Sequence, residues 1–346
     1  MTLTTALAIV AGVVLAVIVA HGAWSARRAG PRQPEPPRVE RVEPMLSAAV
    51  EAPAAAVVSA AGAIVDEPAR THRGPRIDAL IDAIATFRFE SPVTGEFVLA
   101  HLPTTRRAGS KPFLIEGLDA DTGEWVPVTP GHHYGELQAG LQMANRNGAL
   151  NEIEYSEFAQ KIQELAENLG ALVELPDMLE VVARAKELDT FAGQHDAQLA
   201  VTLRANSVAW SPGYLQQCAA RYGFVPGMVS GRLVLPSSEE QAPPVLVLNF
   251  DAQVALAEQP EHAALRDASL ALDVPQTAES VEPFAQWQQV ARGLADDMDA
   301  TLVDDQGAPI TLQAFGAIGG ELTQMYQALA ARDLAAGSAS ARRLFS

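Results

Sequence analysis

Two stretches of this chain repeat one apolar pattern at a constant offset of 129 residues. The first, LQMANRNGALNEIEYSEFAQKIQELAENLGA, runs from Leu141 to Ala171. The second, LALDVPQTAESVEPFAQWQQVARGLADDMDA, runs from Leu270 to Ala300. Without a gap, Leu141 falls on Leu270, Met143 on Leu272, Tyr155 on Phe284 and Phe158 on Trp287. Leu165 then falls on Leu294, Leu169 on Met298 and Ala171 on Ala300. Identities are few, so chance agreement between two amphipathic helices stands as the alternative to an internal duplication. The pattern itself is restrictive. Phe284, Trp287, Ala291, Leu294 and Met298 recur at spacings of 3, 4, 3 and 4, which is one face of a helix. The apolar runs on either side, LALDV and ATLVD, are short and read as strands. Each copy is therefore a strand, a polar loop, a helix and a strand.

The flanking segments extend the pattern. AQLAVTLRA alternates Leu199, Val201 and Leu203 as a strand would, and SPGYLQQCAARYGF is a helix ending at Gly223. MVSGRLVLP and PPVLVLNF are two further strands with a turn between them. DQGAP turns the chain, and Thr311 is placed to cap a last helix. Nearer the front, GEFVLAHL, KPFLIEGLD and GEWVPV fit helix, strand and strand. The fold class is α+β, a mostly antiparallel sheet with helices on one face, duplicated. The expected divisions are an anchor at 1–25, a Pro/Ala-rich linker at 26–75, a diverged first copy at 76–190, a second domain at 191–332 and a flexible tail at 333–346.

The anchor rests on Leu3–Trp24, which has no Asp, Glu, Lys or Arg and is unbroken apolar from Ala6 to Ala20. About 20 such residues span a bilayer as a helix. Arg27, Arg28, Arg32, Arg38 and Arg41 all follow the run, which puts the N-terminus outside and the bulk of the chain in the cytoplasm. A cleaved signal peptide is the rival, with AHGA as a cleavage site, but its positive charge belongs before the apolar run. Eight prolines between Pro31 and Pro75 then remove backbone donors, so this stretch reads as an extended tether.

The net charge of -18 would repel nucleic-acid phosphates, which excludes a DNA or RNA partner. The single cysteine, Cys218, rules out an internal disulfide; it is a thiol nucleophile or, as free cysteines usually are, a small buried hydrophobe. The acidic cluster Asp296, Asp297, Asp299, Asp304 and Asp305 lacks the alternate spacing of a calcium loop. Asp296 and Asp297 fall on the wet face of a helix, and Asp304 and Asp305 open a turn. His132 and His133 are adjacent on a strand and point to opposite faces, which suits no metal. RRAGSKP is a basic island, either a solvated loop or a contact for headgroups or an acidic peptide. No phosphate-binding loop or nucleophile elbow is present. The expectation is a non-enzyme with no cofactor and no metal.

LQQCAARYGFVPG followed by PPVLVLNF, LALDVP and QVARGLADDMDATLVDDQGAPIT resembles the C-terminal domain of the bacterial cell-division protein ZipA, over roughly Asp196–Leu329. The front of the chain agrees, since that family has a single membrane helix and a Pro-rich linker before a cytoplasmic domain. The resemblance implies an inner-membrane protein, N-terminus in the periplasm, that binds the C-terminal tail of the tubulin-like FtsZ and tethers the division ring. A membrane-anchored scaffold for another peptide is the alternative. In the family the tail lies across the sheet face that carries no helices. By strand parity Leu270, Leu272 and Val274 point to the helices, and the outward set is Ala200, Thr202, Val229, Gly231, Leu246, Leu248, Phe250 and Ala271. The competing possibility is that this face packs against the first copy.

Overall fold

The computed structural model describes residues 31–34, 76–239, 242–256 and 263–346. The anchor at 1–25 and the linker at 26–75, apart from Pro31–Pro34, lie outside the described residues. Among the described residues, no helix is long and apolar enough to cross a membrane.

Two antiparallel sheets carry the fold. The first half runs β1 (Asp82–Thr94), α1 (Gly95–His101), β2 (Arg107–Ala108), β3 (Lys111–Asp119), β4 (Trp125–Pro127) and β5 (His133–Gln142). A small hairpin of β6 (Ala144–Asn145) and β7 (Gly148–Ala149) leads to α2 (Glu152–Leu169), β8 (Leu172–Glu174) and α3 (Met178–His195). The sheet order is β2-β3-β5-β1-β8, with β4 on β3. The second half runs β9 (Gln198–Ala205), α4 (Pro212–Ala220), β10 (Val225–Pro226), β11 (Arg232–Leu235), β12 (Leu246–Asn249) and α5 (Ala252–Ala255). It continues through β13 (Asp267–Asp273), α6 (Pro283–Met298), β14 (Ala300–Val303), α7 (Leu312–Ala330) and α8 (Ala339–Leu344). Its sheet order is β10-β11-β12-β13-β9-β14.

The repeated segments occupy the same places. β5-α2-β8 and β13-α6-β14 are both strand, helix and strand, and the trios β5-β1-β8 and β13-β9-β14 have one order. Phe158 and Trp287 are both fully buried, as are Leu165 and Leu294. Both helices stop on a left-handed residue at the same register, Gly170 (φ 66°) and Asp299 (φ 54°). Glycine takes that conformation freely, whereas a side chain there is disfavoured. Asp299 offsets the cost with hydrogen bonds from Ser207 Oγ (2.6 Å) and Asn206 Nδ2 (3.2 Å). The starts are equally local: α2 opens on a capping box of Asn151 and Glu154, and Ser211 and Thr311 cap α4 and α7.

Two cores follow. In the first, Phe87, Phe113, Leu137 and Leu141 meet Phe158, Ile162 and Leu165 of α2 and Val181, Ala185 and Leu188 of α3. In the second, Val201, Leu203, Leu248 and Leu270 meet Leu215 of α4, Trp287 and Leu294 of α6 and Phe315 and Leu322 of α7. Helix α7 crosses between them: Phe315, Leu322 and Tyr326 belong to the second core and Leu329 to the first.

Four expectations need correction here. The strand β1, thirteen residues and central to its sheet, is absent from the sequence reading. The boundary at 190/191 falls inside α3, whose Phe191 and Ala192 still pack in the first core. The tail 333–346 is not flexible: Leu334, Ala341, Leu344 and Phe345 are buried in the first core, and Arg343 holds Asp82 at 2.5 Å. The tether reading fails at Pro31–Pro34. There Arg32 keeps the backbone N–H that Pro31 and Pro34 lack, donates it to Ala209 O (2.6 Å) and through its carbonyl accepts from Ser211 N (2.9 Å). Its guanidinium reaches Asp299 at 3.1 Å.

The polar groups at the edge of the first sheet are matched as well. Asp119 accepts from the backbone N–H of Thr122 and Asp121, and His132 Nδ1 lies 2.5 Å away. The Thr122 bond first, then His132 and Asp121, hold its carboxyl below the usual range, at about 2. Asp119→Asn should therefore lower the melting temperature at neutral pH. A depressed native pKa contributes stability that is present above the unfolded value of about 4 and is lost on acidification toward about 2. Melts of both proteins across that window check this: a difference that stays constant between pH 4 and 2 contradicts it.

Candidate docking face

The second sheet has all its helices on one side. Pairing fixes which side chains go there. Leu233, Leu248, Leu270 and Val201 lie in one register row and are all buried against the helices. Trp287 seals the row, its Nε1 donating to Leu270 O at 3.2 Å.

Adjacent residues face the other way and form two rows across the strands. The first is Val225, Val234, Val247, Ala271 and Ala200. Beside it run Arg232, Asn249, Ser269, Thr202 and Val303. The first row is apolar and mostly small, and the second is polar up to Val303. Val225 and Ala200 at the ends of the apolar row are exposed; Val234, Val247 and Ala271 between them are half-buried. At the β10-β11 turn, Met228 and Val229 stand exposed beside this face. A contiguous apolar surface next to a free sheet face is the kind of surface partners use. Among the described residues of the first half, Arg146 lines its margin, held by Asp196 (2.6 Å) and Asp273 (2.7 Å).

Of the outward set read from sequence, Ala200, Thr202 and Ala271 do lie on the helix-free face. Val229 is exposed on the turn beside them. Leu246 and Leu248 do not lie there. Both are fully buried in the core, because Leu248 pairs with Leu270 and so shares its side of the sheet. Phe250 follows them and packs, half-buried, on the same core. Gly231 is a buried turn residue with φ 79°, where an added Cβ would meet Phe250 O at 2.5 Å. The residues missed are Val225, Val234, Val247, Met228 and Arg232. For Val247 the sequence signal was alternation in PPVLVLNF, where both parities are apolar.

The remaining candidates are settled by burial. Cys218 is buried, which raises its thiol pKa and leaves it a core residue. Lys111, counted in the basic island, is fully buried and donates to Asn145 Oδ1 (2.6 Å) and Gly148 O (2.5 Å). Asp304 Oδ1 caps the turn by accepting from Gln306 N and Ala308 N. Asp296 and Asp297 are exposed. Among the described residues, no group of three His, Cys, Asp or Glu is placed to hold a metal.

Residues 215–319 match the family model for the ZipA C-terminal FtsZ-binding domain. The match begins in α4, takes in β10 to β14 and ends in α7. No curated protein matches the chain. Among solved structures, CrmK, a flavoenzyme of caerulomycin biosynthesis, is 12% identical over 62% of this chain and 42% of its own, with a TM-score of 0.18. Berberine bridge enzyme from Eschscholzia californica is 10% identical over 76% of this chain and 54% of its own, with a TM-score of 0.15. The chain spans about half the length of these structures.

Proposed function

We propose that this chain, which carries a ZipA-type FtsZ-binding domain at residues 215–319, is a membrane-anchored cell-division protein. In this reading it binds the C-terminal tail of FtsZ and tethers the division ring to the bacterial inner membrane. One observation carries the proposal: the matched segment supplies five of the six strands of the second sheet, and among the described residues no helix covers its outer face, across which an apolar row runs. An extended tail laid on that face would bury apolar surface on Val225, Val234, Val247 and Ala271. The anchor is supported by the apolar run Leu3–Trp24, and the cytoplasmic placement of the bulk by the arginines after it. The shared strand order and cap register support a duplicated ancestry for the two halves.

The test is a titration of a labelled FtsZ C-terminal tail peptide with the full chain. Saturable binding, competed by unlabelled peptide and lost in a scrambled one, is expected. A flat titration would remove FtsZ as the partner and leave a scaffold for some other peptide.

A further inference from the structure

We propose that the docking face recognises a carboxylate in its peptide, seated on Arg232 beside an apolar anchor; this rests on the peptide-binding reading above. Two cavities open along the free face. One, of about 620 Å³, is walled by Pro226, Met228, Val229, Val234 and Pro236. The other, of about 370 Å³, mixes Val247 and Ala271 with the polar groups of Arg146, Gln198, Asn249 and Asp273. Arg232 and Pro244 line both, so Arg232 stands at the divide.

Its charge is uncompensated. The other charged groups lining the cavities with it are paired: Arg146 with Asp196 and Asp273, and Glu239 with Arg342 at 2.6 Å. Among the described residues, Arg232 has no side-chain hydrogen bond or ion pair, and it is exposed. A guanidinium takes a carboxylate through two parallel hydrogen bonds, so a fork of this kind fixes a position along a peptide. The setting sharpens the choice. The chain carries a net charge of -18, which disfavours an acidic group anywhere on its surface without a local cation. Arg232 therefore supplies register and selectivity: an apolar side chain enters the larger cavity, and an acid must fall next to it on Arg232.

The experiment is a charge-swap cycle on the full chain. The probes are the FtsZ C-terminal tail peptide and a series in which each acidic side chain becomes lysine and the terminal carboxylate is amidated. Arg232→Glu should weaken the unmodified tail by roughly tenfold or more, and Arg232→Lys by less. One peptide of the series should bind Arg232→Glu better than it binds the wild type, which a merely structural role would not produce. If Arg232→Glu binds every peptide as the wild type does, while Val247→Asp has lost them, the face stands and the role of Arg232 is wrong. If the wild type itself binds no tail peptide, the functional reading fails and this inference with it.

Discussion

Leu248→Asp is expected to abolish the cooperative melting of the second half, whereas Val247→Asp, one residue earlier, should melt like the wild type and lose its peptide. The contrast follows from register. Leu248 is fully buried between Leu233 and Leu270. Deleting a buried leucine side chain costs about 2–5 kcal/mol in packing alone, and an unpaired carboxylate in its place adds several more. Whole-domain stabilities are only about 5–15 kcal/mol, so little or none would be left. Val247 faces the opposite way, half-buried in the apolar row between Val234 and Ala271. A carboxylate there stays in water in the free protein. It removes an apolar anchor from the centre of the docking face, where losses of about 2 kcal/mol, roughly thirtyfold in affinity, are common. Phe250→Asp should behave as a weaker version of Leu248→Asp, since Phe250 packs on the core. Calorimetry and peptide titration on each variant decide the matter. A normal melt for Leu248→Asp together with a lost one for Val247→Asp would reverse the two faces of the sheet.

Removing residues 339–346 should unfold or severely loosen the first half, although these residues lie at the far end of the chain. Ala341, Leu344 and Phe345 are fully buried there. Phe345→Ala alone should cost about 3–5 kcal/mol by leaving a cavity. The truncation also strips Arg343 from Asp82, whose side chain is fully enclosed and accepts from both guanidinium nitrogens at 2.5 and 2.8 Å. A buried carboxylate left without its partner costs about 3–5 kcal/mol. Amide hydrogen exchange would locate the damage. Protection should fall in β1, β5 and α2 and hold better in β9 and β13. A truncated chain that melts and exchanges like the intact one would show that the tail is dispensable.

Helical period made α6 legible from sequence. Its five apolar residues can occupy one face in only one way, and the motif after it carried the family resemblance. The strand β12 was different. In PPVLVLNF both parities are apolar, so alternation could not say whether Leu248 or Val247 points inward; the answer lies in pairing with β13, distant in sequence. The tail was missed for a related reason. SASARRLF places Ala341 and Leu344 on one face of a six-residue helix, too short for a period to show. Arg32 sits among prolines that mark an extended segment correctly but give no hint of the strand edge it meets. At the docking face, the small residues were readable as outward once the parity of β13 was known, whereas Val225 and Arg232 became visible only when the rows crossed strands.

Helix α7 and the tail also set an order in time. Leu329, Leu334, Ala341, Leu344 and Phe345 are made after the whole of the first half, yet they complete its core. At ribosomal rates the stretch from Asp196 to Ser346 takes roughly 10 to 30 s to synthesise. Throughout that interval the first sheet waits with one wall missing, holding apolar surface open to chaperones. A product cut short anywhere in its second half never closes that wall. Stability of the first half is thereby tied to translation reaching Phe345.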